Sequence, residues 1–420
     1  MTQVLKTLAN RVSRPDSLLS LSAEDTFVLA TIKKGVQGNR FCEQDLLAEF
    51  DQLDWAKVLR VAFENRVASL LSYTLAPVFS SGRIPQKQLV ILKKFFLETT
   101  QRNLRIKQSL KEVLLAFEKF NIDVIVFKGA TLAFSIWPNM ATRQMQDIDL
   151  VVDKIRSIEA ANLLTEMGYL FTGDRDYDWY LNHTNEFPDF VNPVSGISVE
   201  LHHSFFTPHK CFNIDEDLFW ERSSISKIDG ISVKVLNPNQ LLMFLCLHVS
   251  IGHFLQDNIR SLLDIALVTR GFNGAFDPEL WGKMLLEPRL GPLLALPISI
   301  SSKEFGADFR GFVKDPESAL SLHYSGMSLK ILEKAKAHFL LKIRAKNTYE
   351  KVLRRISMEI VYRPELGLFR NVICSFFPQP NYTLVGVNSS FSKKFVSFWI
   401  RLFRLVKMKQ HHAPNEESGD

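Results

Sequence analysis

Apolar residues recur at three- and four-residue intervals from about Ser17 to Arg105, with few glycines, and that spacing predicts helices throughout. Ile106, Leu110, Val113, Leu114 and Phe117 keep to one helix face, predicting a long helix that ends at Asn121-Ile122-Asp123. The period then changes to two. Val124 to Phe127 predicts a short buried strand, and Asp147 to Val152 a second, with Ile148 and Leu150 on its buried face and Asp147 and Asp149 on the other. Between them lie Lys128-Gly129, a short helix-like segment and a Trp137-Pro138 loop. Asp153 is placed to cap a helix running to Met167, with Gly168 at its stop. From Tyr169 to Val199 two strand-like runs, separated by Asn192-Pro193 and Ser195-Gly196, predict a hairpin. Its second strand, Ile197 to His203, puts Ser198, Glu200 and His202 on one face. Helical spacing returns at Asn237-Pro238-Asn239 and continues through Leu241 to Phe254, through IRSLLDIALVTR, and past Gly291.

The alternation predicts an α+β protein in which a small mixed sheet is flanked by N-terminal and C-terminal helical regions. The expected divisions are residues 1–120 (helical), 121–236 (α/β core), 237–408 (helical) and 409–420 (a disordered tail). A length of 420 residues exceeds what one hydrophobic core usually serves.

Composition narrows the class. A hydrophobic fraction of 46% argues against wholesale disorder. No apolar run reaches the roughly 18 residues a spanning helix needs, and the N-terminal segment lacks a secretory h-region. The expected location is the cytoplasm. Four scattered cysteines (Cys42, Cys211, Cys246, Cys374) form no CxxC pair, so zinc is not indicated and small buried hydrophobes are expected. Lys plus Arg total 51 against 45 acidic residues, a net +6 that tolerates an anionic partner without demanding one, and nucleic acid is disfavoured. The basic, aromatic stretch Phe391 to Met408 reads as a docked terminal helix, with peripheral contact to an anionic inner-membrane surface as the alternative.

The chemistry concentrates between Val124 and Glu200. Two carboxylates on one strand face repel unless a cation separates them, and Mg²⁺ takes one or two carboxylates plus substrate oxygens and water, with Mn²⁺ as the alternative ion. Lys128-Gly129-Ala130-Thr131 sits at a strand-to-helix turn, where glycine permits close backbone approach and free N–H groups face an anion. Arg143 offers a guanidinium fork for phosphate. Lys128 either reaches phosphate or pairs with a carboxylate. Glu200 is the candidate third carboxylate, and His202, on the same face, the candidate phosphate contact or proton relay. His248 and His253 read as hydrogen-bonded core histidines, and Arg260 and Asp264, four apart, as a pair on one helix face.

The order of Lys-Gly turn, helix, Arg143, Asp147-Ile148-Asp149 and the Glu200-Leu201-His202 strand resembles the bacterial family of uncharacterised nucleotidyltransferases, within the polymerase-β-type superfamily. Trp55 in DWAKVLRVAFENRV and the later QRNLRIKQSL resemble the same family's lead-in. The resemblance implies a nucleotidyltransferase core, metal ligation by Asp147, Asp149 and Glu200, and nucleotide binding by Lys128, Gly129, Ala130, Thr131, Arg143 and His202. The superfamily usually carries Gly or Ser after the turn glycine. Ala130 stands there in this chain, which leaves Thr131 or the backbone to meet phosphate. The expected activity is Mg²⁺-dependent transfer of a nucleoside monophosphate from an NTP to a hydroxyl acceptor with release of pyrophosphate. The competing expectation is a nucleotide-binding or membrane-surface accessory protein, without turnover, in polysaccharide or peptide natural-product assembly.

Overall fold

A computed structural model describes residues 21–42, 48–206, 215–228, 230–252, 259–326, 328–332 and 360. The described residues up to Leu322 fall in one compact unit. The expected terminal helix of Phe391 to Met408, the tail, His253, Cys211 and Cys374 lie outside the described residues.

Among the described residues four α-helices precede the sheet: α1 (Ala23–Val36), α2 (Trp55–Glu64), α3 (Ala68–Leu75) and α4 (Gln86–Lys119). Each of the first two starts where a side chain satisfies the orphan N–H groups of its first turn. Ser22 and Asp25 form a capping box on α1, and the Asp54 carboxylate accepts from Ala56 and Lys57 on α2. Helix α4 runs 34 residues, about 50 Å at 1.5 Å per residue. Its stripe Ile106, Leu110, Val113 and Phe117 is fully buried against the sheet, as the three- and four-residue spacing predicted.

The sheet is mixed and seven-stranded, in the order β3-β4-β5-β2-β1-β7-β6. Strand β1 (Val124–Val126) leads through α5 (Gly129–Ser135) to β2 (Asp147–Val152), and β1 and β2 pair antiparallel. After α6 (Ser157–Glu166) come β3 (Leu170–Phe171), α7 (Tyr177–His183), β4 (Phe190–Val191) and β5 (Ser198–His202). Strands β4 and β5 form the expected hairpin. Helix α8 (Asp217–Glu221) precedes a second hairpin, β6 (Ser224–Ile228) with β7 (Ile231–Val235). Asp153 caps a 3₁₀ turn that runs into α6, and Gly168 adopts φ +88 just past its end, as expected.

One sheet face carries Val126, Ile148, Leu150, Val152, Val199 and Leu201 into the main apolar cluster with α4 and α6. The opposite face carries the charged residues, because side chains alternate along each strand. Beyond the sheet, α9 (Pro238–Leu247) begins at an Asn237/Gln240 capping box and passes into a π-helical turn, His248–Gly252. Helices α10 (Ile259–Gly271), α11 (Pro278–Leu286) and α12 (Gly291–Phe305) follow. Among the described residues no helix is long and apolar enough to cross a membrane. Cys246 is buried as expected, whereas Cys42 is exposed.

Candidate active site

Strands β2 and β5 run parallel with Asp147 opposite Ser198, Asp149 opposite Glu200 and Val151 opposite His202. Residues in register on adjacent strands share a face, so Asp147, Asp149, Glu200 and His202 converge without any loop rearrangement. They open into a cleft of about 430 Å³ that is also lined by Arg66, Lys128, Gly129, Arg143, Glu186 and Arg260.

Lys128 is the cation nearest the carboxylates. Its Nζ lies 3.1 Å from Asp149 Oδ1 and 3.4 Å from His202 Nε2, and 4.7 Å from the Phe127 ring centroid. The backbone reaches this position at φ +50, sparsely populated for a residue with a Cβ, and strain of that kind concentrates at functional sites. The alternative left open by the sequence resolves toward a carboxylate partner. Gly129 lets the Arg143 and Asp149 side chains approach the turn closely. A methyl built on it would stand 3.2 Å from Arg143 Nη1 and 3.3 Å from Asp149 Oδ2.

The turn differs from expectation in two respects. The Gly129 N–H donates to Asp149 Oδ2 at 3.3 Å, so its partner here is a carboxylate. The Thr131 hydroxyl donates to the Val126 carbonyl at 3.0 Å, and neither Ala130 nor Thr131 lines the cleft. A phosphate contact from the Thr131 hydroxyl therefore competes with a bond that ties α5 to β1.

Arg143 is buried, and two of its nitrogens are committed: Nε to Asp264 Oδ1 at 3.0 Å and Nη2 to Asp264 Oδ2 at 2.9 Å. Trp137 Nε1 donates to the same carboxylate at 2.7 Å. The expected Arg260–Asp264 pair is thus replaced by one between elements. Arg260 Nη1 instead donates to the Gln144 carbonyl at 2.8 Å. The segment from Met140 to Gln146 is held from α4 as well. Arg102 donates to the Met145 and Gln146 carbonyls, and Asn103 to those of Met140 and Arg143. Both come from the QRN of the lead-in segment, and they set the entry of β2 into the site.

Glu186 and His248 are among the cleft residues that were not legible as site residues. Glu186 Oε2 accepts from His202 Nδ1 at 2.9 Å, brought there by an isolated antiparallel bridge between Glu186 and His202. His248 is no core histidine. It lines the cleft, half-buried, and stacks on Phe244 at 5.6 Å.

The charges are unequal in cost. Burial opposes ionisation of Asp149, but the Lys128 ammonium, His202 and the Gly129 N–H outweigh it and hold the carboxyl at about 2. Burial pushes Asp147 up, reinforced by the Asp149 charge. Burial also pushes Glu200 up to about 7, its His202 contact opposing and the Asp149 and Asp147 charges adding to the rise. Burial depresses Arg260 to about 10, with Arg143 and Arg66 adding like charge. The site therefore buries charges of both signs close together.

A stability prediction follows from Glu200. Its folded-state pKa lies above the ordinary 4.5, so between about pH 4.5 and 7 the folded chain binds more protons than the unfolded one. Stability from this group then falls as pH rises through that window. Glu200→Gln should exceed the metal-free wild type in urea midpoint by a wider margin at pH 8 than at pH 5. An equal margin at both would contradict the assignment.

Asp149, Glu200 and His202 present ligand atoms within 4.8 Å of one another, close to the spread around one small cation. The Lys128 ammonium already stands among them as a positive counter-charge. The donor set fits a divalent ion. A family model described as uncharacterised nucleotidyltransferase matches residues 51–296, more than half of the chain. No curated protein and no solved structure matches the chain. The matched span takes in the Lys-Gly turn, both acidic strands and the helix bearing Asp264, and the chain belongs to the uncharacterised nucleotidyltransferase family.

Proposed function

We propose that the chain transfers a nucleoside monophosphate from an NTP to a hydroxyl-bearing acceptor, with release of pyrophosphate, in a divalent-cation-dependent reaction. The observation that carries this reading is the in-register placement of Asp147, Asp149 and Glu200 on one face of β2 and β5 beside Lys128. Asp149 and Glu200 would hold the cation in the cleft, with Asp147 completing the set; Mg²⁺ is the ion expected from the carboxylates alone. When bound, the cation supplies neutralisation of phosphate charge and alignment of attacking and leaving oxygens.

The residues divide the remaining work by charge. Arg66, Arg143 and Arg260 crowd one side of the cleft, where like-charge repulsion and burial favour an incoming anion such as a triphosphate. Arg143 is oriented by Asp264, which leaves Nη1 near Gly129. Phe205, Phe206, Phe244 and His248 also line the cleft, and aromatic rings accept any base by stacking, which leaves base preference to other contacts. Glu200 would also help polarise the acceptor hydroxyl beside the cation.

Release of pyrophosphate from each of the four NTPs, measured with and without Mg²⁺ and across hydroxyl-bearing acceptors, tests the reading. Arg260→Gln should raise KM for the NTP by roughly tenfold, the loss of about 1.4 kcal/mol from one phosphate contact, with kcat nearly unchanged. A change confined to kcat would instead place Arg260 at the reacting phosphorus.

A further inference from the structure

We propose that His202 is itself a metal ligand, presented by Glu186, and that this imidazole makes the centre select a first-row divalent transition ion over Mg²⁺. The proposal rests on the metal-dependent reading above and deepens it by naming the class of cation.

His202 is almost wholly buried, and its two ring nitrogens face different partners. Nδ1 lies 2.9 Å from Glu186 Oε2, whereas Nε2 lies 3.6 Å from Glu200 Oε2 and 3.9 Å from Asp149 Oδ1. A carboxylate at Nδ1 holds one proton there, so a cation that displaces the proton from Nε2 meets a lone pair directed at the two acids. Lys128 Nζ and the Asn185 amide nitrogen, both donors, sit 3.4 Å from Nε2 and from Nδ1 respectively, and the shorter 2.9 Å contact to Glu186 decides for the proton at Nδ1. Metal-bound histidines characteristically donate their other ring N–H to a carboxylate, which fixes the ring and raises its basicity.

The arrangement is built into the backbone. Glu186 bridges His202 in antiparallel register, and Phe187 N donates to the Leu201 carbonyl at 2.9 Å. The Thr184 hydroxyl holds the Glu186 carbonyl at 2.6 Å, and the Phe127 ring meets the imidazole edge-on at 5.0 Å. Rotation of the imidazole away from Asp149 and Glu200 is opposed on each of these sides.

Mg²⁺ is a hard ion that takes oxygen ligands, whereas imidazole suits first-row transition ions. A set of two carboxylates and one imidazole therefore favours the latter. A divalent ion and the Lys128 ammonium cannot share the space between Asp149 and His202, so loading the centre releases Lys128 toward the cleft.

Mn²⁺ is the strict probe, since it binds most weakly in the first-row series and reports its ligands by electron paramagnetic resonance. The full-length protein without nucleotide should bind Mn²⁺ more tightly than Mg²⁺ in competition, and pulsed spectra should show coupling to an imidazole ¹⁴N. His202→Gln should remove that coupling. Glu186→Gln changes a side chain that is 42% exposed, so the fold should persist. It should weaken Mn²⁺ by roughly 10–100-fold while Mg²⁺ affinity holds. Mn²⁺ bound without nitrogen coupling, or Mg²⁺ preferred, overturns the proposal. Either result beside intact pyrophosphate release leaves nucleotidyl transfer standing, whereas nitrogen coupling without any release would remove transfer and keep the histidine.

Discussion

Asp147→Asn should abolish transfer and at the same time leave the protein as stable as wild type or more so. The carboxyl of Asp147 is pushed up by burial and by the Asp149 charge beside it, so without a cation its ionised form is a cost to the fold. An amide of nearly the same shape removes the charge and keeps the volume. The loss of a metal-binding, charge-stabilising carboxylate should lower kcat by on the order of 10²–10³-fold. The relief of repulsion should raise Tm by roughly 1–3 °C in metal-free buffer. Asp149→Asn is the poorer experiment. Asp149 is the closest anion to the partly buried Lys128 ammonium, at 3.1 Å, and also accepts the Gly129 N–H. Its removal strands a charge, so lost activity there would mix chemistry with unfolding. Melting curves with and without Mg²⁺, beside turnover, check the prediction. A destabilised Asp147→Asn protein would show that the pair is balanced by something other than a cation.

Asp264→Ala carries the largest expected structural effect. Arg143 and Asp264 are 6% and 2% exposed in their side chains, and Trp137 donates to the same carboxylate. Deleting one partner of a buried ion pair leaves the other charged and dry, at a cost of about 3–5 kcal/mol. The same deletion frees the loop between Trp137 and Asp147, so surviving folded protein should bind NTP weakly. The cost is that of an unpaired charge rather than the net worth of the pair. The double variant Arg143→Met/Asp264→Leu should therefore recover much of the stability while leaving NTP binding impaired. Denaturant midpoints for the three proteins measure this directly. An Asp264→Ala midpoint close to wild type would mean that Arg143 finds another counter-charge.

What the chain revealed in advance was local. Asp147 and Asp149 share a face because a strand has period two, and Glu200 and His202 do so for the same reason. Parallel pairing of β2 with β5 then needed only the correct register to merge the two faces. The stripe on α4 and the Gly168 stop were equally readable, since helix period and positive φ leave marks in neighbouring residues.

The unread parts depend on tertiary juxtaposition. Arg143 and Asp264 are 121 residues apart and meet because α10 packs against the loop after α5; four-residue spacing pointed to Arg260 instead. Glu186 lies in a polar, aromatic run, and nothing there signals that a single bridge sets it beside His202. Thr131 carries the right chemistry for phosphate, yet its hydroxyl meets the β1 carbonyl first. His248 sits in an apolar run that suggested a core position, but the π-helical turn begins there, and the residue lines the cleft.

The proposed reaction requires a cation-dependent nucleotide site built on Asp147, Asp149 and Glu200. Its most direct test is calorimetric titration of ATP, GTP, CTP and UTP into the purified protein, with and without Mg²⁺ or Mn²⁺, beside the Asp147→Asn protein. The account predicts binding of at least one NTP that requires the divalent ion and is lost in the variant. Cation-independent binding of equal strength in both proteins, or no binding of any NTP, would contradict it.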